Sequence, residues 1–186
     1  MKKTLLIVLA IIVILGLYVW STFNGLVKIR ENAVAQFQQV ETQYQRRFDL
    51  IPGLVESVKG VMQQEQTVFK DLADARAKYS GAQSVNEKVE ATGQVESALS
   101  RLLVIVENYP TLKSSDVVRD FMTQLEGTEN RIGTERQRYN DTVKTYSVAI
   151  STFPRVIFAG LFGFEALEYF QSTEGAENAV PVDFTP

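Results

Sequence analysis

Residues 118–153 read VRDFMTQLEGTENRIGTERQRYNDTVKTYSVAISTF. Within them Val118, Phe121, Leu125, Thr128, Ile132, Glu135, Tyr139, Val143, Tyr146, Ile150 and Phe153 recur at steps of three or four, which makes one seam of a single long helix. At the usual rise such a helix is longer than about 50 Å, so the rest of the chain must supply partners of similar length. Ser115 stands where an N-cap is needed, Asp116 follows in the first turn, and Pro154 stops the helix.

Working back toward the N-terminus, Asn108, Tyr109 and Pro110 break an earlier helix carrying Val85, Val89, Thr92, Val95, Leu99, Leu102, Leu103 and Val106, and residues 110–114 read as a loop. A further stripe runs through Leu54, Val58, Val61, Met62, Phe69, Leu72 and Ala73 to a glycine C-cap near Gly81, with a short connection over 81–84. The first stripe holds Leu26, Ile29, Ala33, Phe37, Val40, Tyr44 and Phe48. Between these two stripes lies RRFDLIPG, where Asp49 can cap a new helix and Pro52 disfavours helical geometry at Ile51, so a helix boundary is expected there.

The N-terminal end is of another kind. Leu5 to Trp20, LLIVLAIIVILGLYVW, carries no charge, and with its uncharged flanks it is long enough to cross the ~30 Å hydrocarbon core of a bilayer. Leu5, Ile12 and Leu17 represent its lipid-facing length, and Tyr18, Trp20 and Phe23 its aromatic belt. A cleaved signal peptide is the competing reading, but the exit lacks a small-x-small site. Lys2 and Lys3 before the span favour a cytoplasmic N-terminus and an extracytoplasmic domain, against Lys28 and Arg30 on the other side.

The chain has 186 residues, 45% of them apolar, a net charge of −3, and neither cysteine nor histidine. That composition excludes disulfides, thiolate or imidazole metal sites and Cys–His or Ser–His nucleophiles. Lys2 and Lys3 are the only charges before Asn24, so all 22 acidic residues lie in the body of the chain, where they outnumber the bases. Such a domain offers no electrostatic footprint for nucleic acid. An all-oxygen metal site on Asp116, Asp120, Glu126 and Glu129 has no supporting pattern. No catalytic residue, cofactor or metal is expected, and the chain does not read as an enzyme.

The resulting organisation is an anchor at 1–23, a long-helix body at 24–153, an aromatic segment at 154–170 and a largely extended tail at 171–186, in which Val180, Val182 and Phe184 alternate as a segment able to dock. The aromatic segment RVIFAGLFGFEALEYF is too short and too charged to be a second span. It is expected to pack Phe158, Phe162, Phe164, Tyr169 and Phe170 as a lid over the bundle end, or else to present an aromatic patch to lipid headgroups or a partner.

Asn24–Gly25–Leu26–Val27–Lys28, RRFDLIPGLVESVKG from Arg46 to Gly60, Asn108–Tyr109–Pro110–Thr111–Leu112–Lys113, EGTENRI from Glu126 to Ile132, Arg138–Tyr139–Asn140, Phe153–Pro154 and Phe162–Gly163–Phe164 with Tyr169–Phe170 follow one another in order. Together they resemble the LemA family over nearly the whole chain, with RRFDLIP and TENRI the specific pair; Gly53 stands where the family commonly has Asn. The resemblance implies an all-α, single-pass membrane protein with an antiparallel bundle of about four long helices, in a family without an established molecular activity. It also implies scaffolding or accessory roles in the bacterial inner membrane, and family descriptions place the short N-terminus outside.

Read physically, Asp49 beside Arg47 and Pro52 is a helix cap with a basic neighbour, while Arg46 and Arg47 could grip a phosphate or carboxylate. Glu129, Asn130 and Arg131 point in three directions and, beside Gly127 and Gly133, mark a close helix crossing with a cross-helix hydrogen-bond network. Tyr139 and Tyr146 are core aromatics with hydroxyls bonded at the bundle edge. Tyr109 and Pro110 set the break before the last long helix. The expected function is a noncatalytic membrane-tethered scaffold or assembly protein of the bacterial envelope, with the bilayer and a second copy or membrane protein as partners. The alternative is an envelope ligand or peptide sensor with a pocket near residues 156–170, using Phe162 and Phe164.

Overall fold

The computed structural model describes residues 2–57 and 66–171. Among them the regular elements are all helices: α1 (Lys2–Ser57), α2 (Gln66–Gly81), α3 (Val85–Asn108), α4 (Pro110–Lys113), α5 (Asp116–Ser151) and α6 (Arg155–Leu161). Val58, Val61, Met62 and the tail residues Val180, Val182 and Phe184, to which the sequence assigned roles, lie outside the described residues.

α1 corrects the expectation of a boundary at Asp49–Pro52. It runs unbroken through Asn24 and Gly25 and through Pro52 and Gly53. An internal proline costs a helix about 3 kcal/mol through its missing donor and its ring clash. Phe48, Ile51 and Leu54 around it are all buried in the main core, and that burial outweighs the local cost. Asp49 caps nothing: it is exposed, and its carboxylate accepts from Gln45 Nε2 at 2.8 Å, one turn back.

The two longest helices pair antiparallel. Leu26 of α1 meets Ala149 of α5, Phe37 meets Tyr139 with ring centroids 5.5 Å apart, and Arg47 meets Thr128. α2 packs mainly on α3 and turns Tyr79 onto Tyr44 and Phe48 of α1, at 5.3 and 5.4 Å between centroids. Lys88 of α3 pairs with Glu41 of α1, and farther along both helices Glu96 accepts from Tyr44. α3 therefore runs in the direction of α1, and the four long helices alternate in direction.

Local chemistry explains the connections. α2 ends at Gly81, and Ser84 opens α3 with a complete capping box: its hydroxyl accepts from Glu87 N–H at 3.2 Å while Glu87 accepts from the Ser84 N–H. Tyr109 closes α3 by donating its N–H to Ile105 O. The stretch expected as a loop at 110–114 contains a helical turn, α4, which Pro110 starts in the position where its missing donor costs least.

Two packing expectations are also corrected. A Cβ added at Gly127 or Gly133 would meet nothing within 4 Å, so these glycines face open space and no close crossing depends on them. The segment after Pro154 is not one lid. α6 turns back against α1, Gly163 reverses the chain with φ 71°, and the following residues run up the bundle between α5 and α3. Phe170 at the end of that return enters the main core against Phe37 and Tyr139, while Tyr169 stays exposed.

Candidate functional site

The polar centre of the bundle is built on α1. Arg47 is 1% exposed, with Tyr44 and Phe48 as its neighbours in the core. Its Nη2 donates to Glu129 Oε2, its Nε donates to Thr128 Oγ1 at 3.5 Å, and its guanidinium lies 5.8 Å from the Tyr44 ring centre. The fork is thus committed to protein acceptors and is not free to grip an outside anion. Arg46, one residue away, points to solvent, so the two arginines do not act as a pair.

A second cation lies one layer nearer the anchor. Arg136 of α5 donates to both Glu96 of α3 and the Tyr44 hydroxyl, and Tyr44 in turn donates to Glu96 at 3.0 Å. Its guanidinium is held between the Phe170 ring, 4.8 Å away, and the Tyr44 ring at 5.6 Å. Burial alone would lower the Arg136 pKa, but its electrostatic and hydrogen-bonding interactions with Tyr44 and Glu96 outweigh that and hold it above the ordinary value. Burial raises the phenol pKa of Tyr44 strongly; Arg136 works against that rise and Glu96 with it. Both groups keep their neutral-pH forms, which serves structure and supplies no acid or base near neutrality.

α3 and α5 do not close against each other above this layer. Between them lies a groove of about 1230 Å³, with Glu168–Gln171 of the return segment among its lining residues. Val89, Leu99, Leu103, Met122 and Leu125 give it an apolar floor. Glu90, Glu107 and Glu126 stand along it as carboxylates, in addition to Glu96 and Glu129, which are engaged by arginine. The groove is therefore apolar below and acidic at its edges. Among the described residues no group of His, Cys, Asp or Glu is arranged to hold a metal ion.

The return segment is positioned by side chains spread along the bundle. Asn140 brackets Phe170, donating to its carbonyl and accepting from its N–H at 2.9 Å each. Asn86 does the same across Ala166 and Glu168. Tyr139 and Tyr146 donate to the carbonyls of Glu168 and Glu165, at 3.0 and 2.8 Å, and burial raises both phenol pKa values. The expected bonding of their hydroxyls is what the structure shows.

The structure thus brings Arg47 and Glu129 together and places Tyr139 in the core under the return segment. Asn130 and Arg131 point outward from α5, Pro52 lies within α1, and Tyr109 and Pro110 form the α3–α4 junction. Phe162 and Phe164 do not line the groove; they pack on Phe23 at 5.1 and 5.7 Å. Tyr44, Glu96, Arg136, Asn86 and Asn140 were missed by sequence reasoning. Tyr44 reads as one more apolar stripe residue, and its polar partners are 52 and 92 positions away.

At the other end of α1, Leu5, Ile12, Leu17, Tyr18 and Trp20 are 70, 60, 55, 42 and 66% exposed. This part of the helix is long and apolar enough to cross a membrane. A helical bundle whose first helix continues into such a segment defines a class of tethered bundle proteins. Residues 36–184 match the LemA family, and the chain belongs to it, as RRFDLIP and TENRI indicated. The magnetosome protein MamQ of Magnetospirillum gryphiswaldense is 28% identical over 184 aligned positions, covering 85% of this chain and 68% of that protein. Magnetosome proteins MamQ 1 and MamQ 2 of Paramagnetospirillum magneticum match at the same identity and coverage.

Proposed function

We propose that this protein is a noncatalytic, membrane-tethered scaffold of the bacterial envelope that holds a protein partner in the α3–α5 groove. The observation that carries the reading is that anchor and bundle share one helix: α1 passes from exposed apolar residues to the Arg47 layer without a break. At about 1.5 Å per residue, Arg47 lies roughly 36 Å along the axis from Phe23. A groove on such a strut is presented at a set height above the bilayer, as a scaffold requires. The charged side chains Arg47 and Arg136 beside the groove are paired with Glu129, Glu96 and Tyr44, with Arg136 Nε left without a hydrogen-bond partner, and this pairing supports a structural use.

The groove's chemistry selects the partner. An apolar floor edged by Glu90, Glu107 and Glu126 complements an amphipathic helix with an apolar face and Lys or Arg flanks. The test is a photoreactive residue at Met122 in native membranes, compared with one at the exposed Thr134. A discrete adduct at 122 that is lost in Glu107→Lys, Glu126→Lys with unchanged helicity supports the reading. Equal adducts at both positions, or none at 122, overturn it. An adduct of twice the chain's mass makes the partner a second copy.

A further inference from the structure

After Arg155, the residues of α6 carry no polar side chain on either side. One side buries Ala159 and half-buries Phe158. The other shows Val156, Ile157 and Leu161 at 43, 58 and 75% exposure, with Phe153 at 77% before the helix and Phe162 at 41% after it. Soluble surface helices keep a polar outer face, so a helix whose exposed side is apolar beyond its first residue needs apolar surroundings on the side the protein leaves open.

Its position says what those surroundings are. Phe158 packs on Tyr18 with centroids 5.9 Å apart, and Phe162 packs on Phe23 at 5.1 Å. Tyr18 and Trp20 close the exposed apolar run of α1, so the outer face of α6 continues that surface sideways at the level where the anchor ends. At about 10 Å, α6 is far too short to span a bilayer and can only lie along its surface. Bases outnumber acids nearby: Lys28, Arg30, Lys144 and Arg155 stand against Glu31, which follows Arg30, and Glu165, whose charge, like that of Arg30, acts on Tyr146.

We infer that α6 and Phe153 form a second membrane contact, inserted into the headgroup region of the bilayer that α1 crosses, with Lys28, Arg30, Lys144 and Arg155 facing anionic headgroups. The inference rests on the anchoring role proposed for α1. Aromatic and aliphatic side chains seated at the interface beside a basic collar are the features of interfacial helices. Two points of attachment fix the rotation of the bundle about the anchor axis, and so fix which way the α3–α5 groove opens.

The test uses the full chain in vesicles of phosphatidylcholine and phosphatidylglycerol, and the lack of native cysteine makes it clean. A fluorophore is placed singly by Val13→Cys, Leu161→Cys or Thr134→Cys, with lipids brominated on their acyl chains as quenchers. The expected result is a several-fold larger quenching at 13 and 161 than at 134. Quenching at 13 without quenching at 161 overturns the α6 contact and leaves the anchor standing. Absence of quenching at 13 overturns the anchor itself. To exclude insertion driven by the dye, the label is moved to 153 in an Ile157→Glu, Leu161→Glu background. Quenching at 153 in the parent and its loss in that background support the inference, and equal quenching in both overturns it.

Discussion

The two halves of α1 are built from similar apolar residues and meet opposite environments. Leu5, Ile12 and Trp20 are more than half exposed, whereas Leu26, Ala33, Phe37, Val40 and Tyr44 are at most 2% exposed. The difference lies in angle and not in amount. Before residue 21 the apolar residues cover every face, which suits a solvent that is itself apolar. After Leu26 they return every third or fourth residue, a stripe that matches the stripe of α5, and polar residues such as Gln38, Thr42 and Gln45 fill the remaining faces. One helix thus changes its surroundings along its length without changing its backbone.

The largest expected effect comes from emptying the striped half. Phe37→Ala removes a ring packed on Tyr139 and Phe170, and should cost about 3–5 kcal/mol in a thermal melt of the bundle. Leu9→Ala in the other half, 54% exposed, should leave that melt unchanged. Equal losses would break the comparison and mean that residue 9 is also covered by protein.

A smaller effect tests the charge that sits within the stripe. Glu129 is 59% exposed and can be hydrated alone, whereas Arg47 is buried and cannot. Glu129→Ala should therefore cost about 2 kcal/mol by stranding a buried cation with Thr128 as its remaining side-chain acceptor. Arg47→Met, which removes the charge and keeps the volume, should cost less. The reverse order in denaturant unfolding would show that Arg47 acts through packing and that Glu129 contributes little.

The sequence made the striped elements legible because periodicity reports the angle of the buried face. The α5 seam, the position of its start at Ser115, the break at Tyr109–Pro110 and the apolar run of Leu5 to Trp20 needed only local reading, although Ser115 makes no side-chain cap hydrogen bond. Apart from the helical turn at Pro110 and the local bond of Asp49 to Gln45, the failures involve contacts between distant segments. Pro52 was read as a boundary because its local cost is visible, while the burial of Phe48 and Leu54 that offsets it is not. Gly127 and Gly133 were read as a crossing, which depends on which face meets α1. At the candidate site, Arg47 and Glu129 were noticed as members of motifs, but their pairing is 82 positions long-range. The groove exists only because α3 and α5 stay apart, and no single helix carries that information.

The comparison extends, with the smallest expected effect, to the helix ends. α1 begins with Lys2 and Lys3 and has no acid in its first turn, and α3 begins in water with the Ser84–Glu87 capping box. Ser84→Ala should cost about 1 kcal/mol by leaving the Glu87 N–H without its acceptor. The Glu87 carboxylate accepts from the N–H groups of Gln83 and Ser84, which lowers its pKa below the ordinary 4.5. The unfolded chain, with the higher pKa, takes up the proton first as pH falls. The cap's contribution is therefore complete above pH 4.5 and is lost as pH drops through the lowered folded value. Glu87→Gln should remove that slice of pH dependence from the melting curve while leaving the rest. If the slope on the acid side is the same in the variant, the box carries no energetic weight in solution, and the start of α3 is held by the packing of Val89 and Thr92 instead.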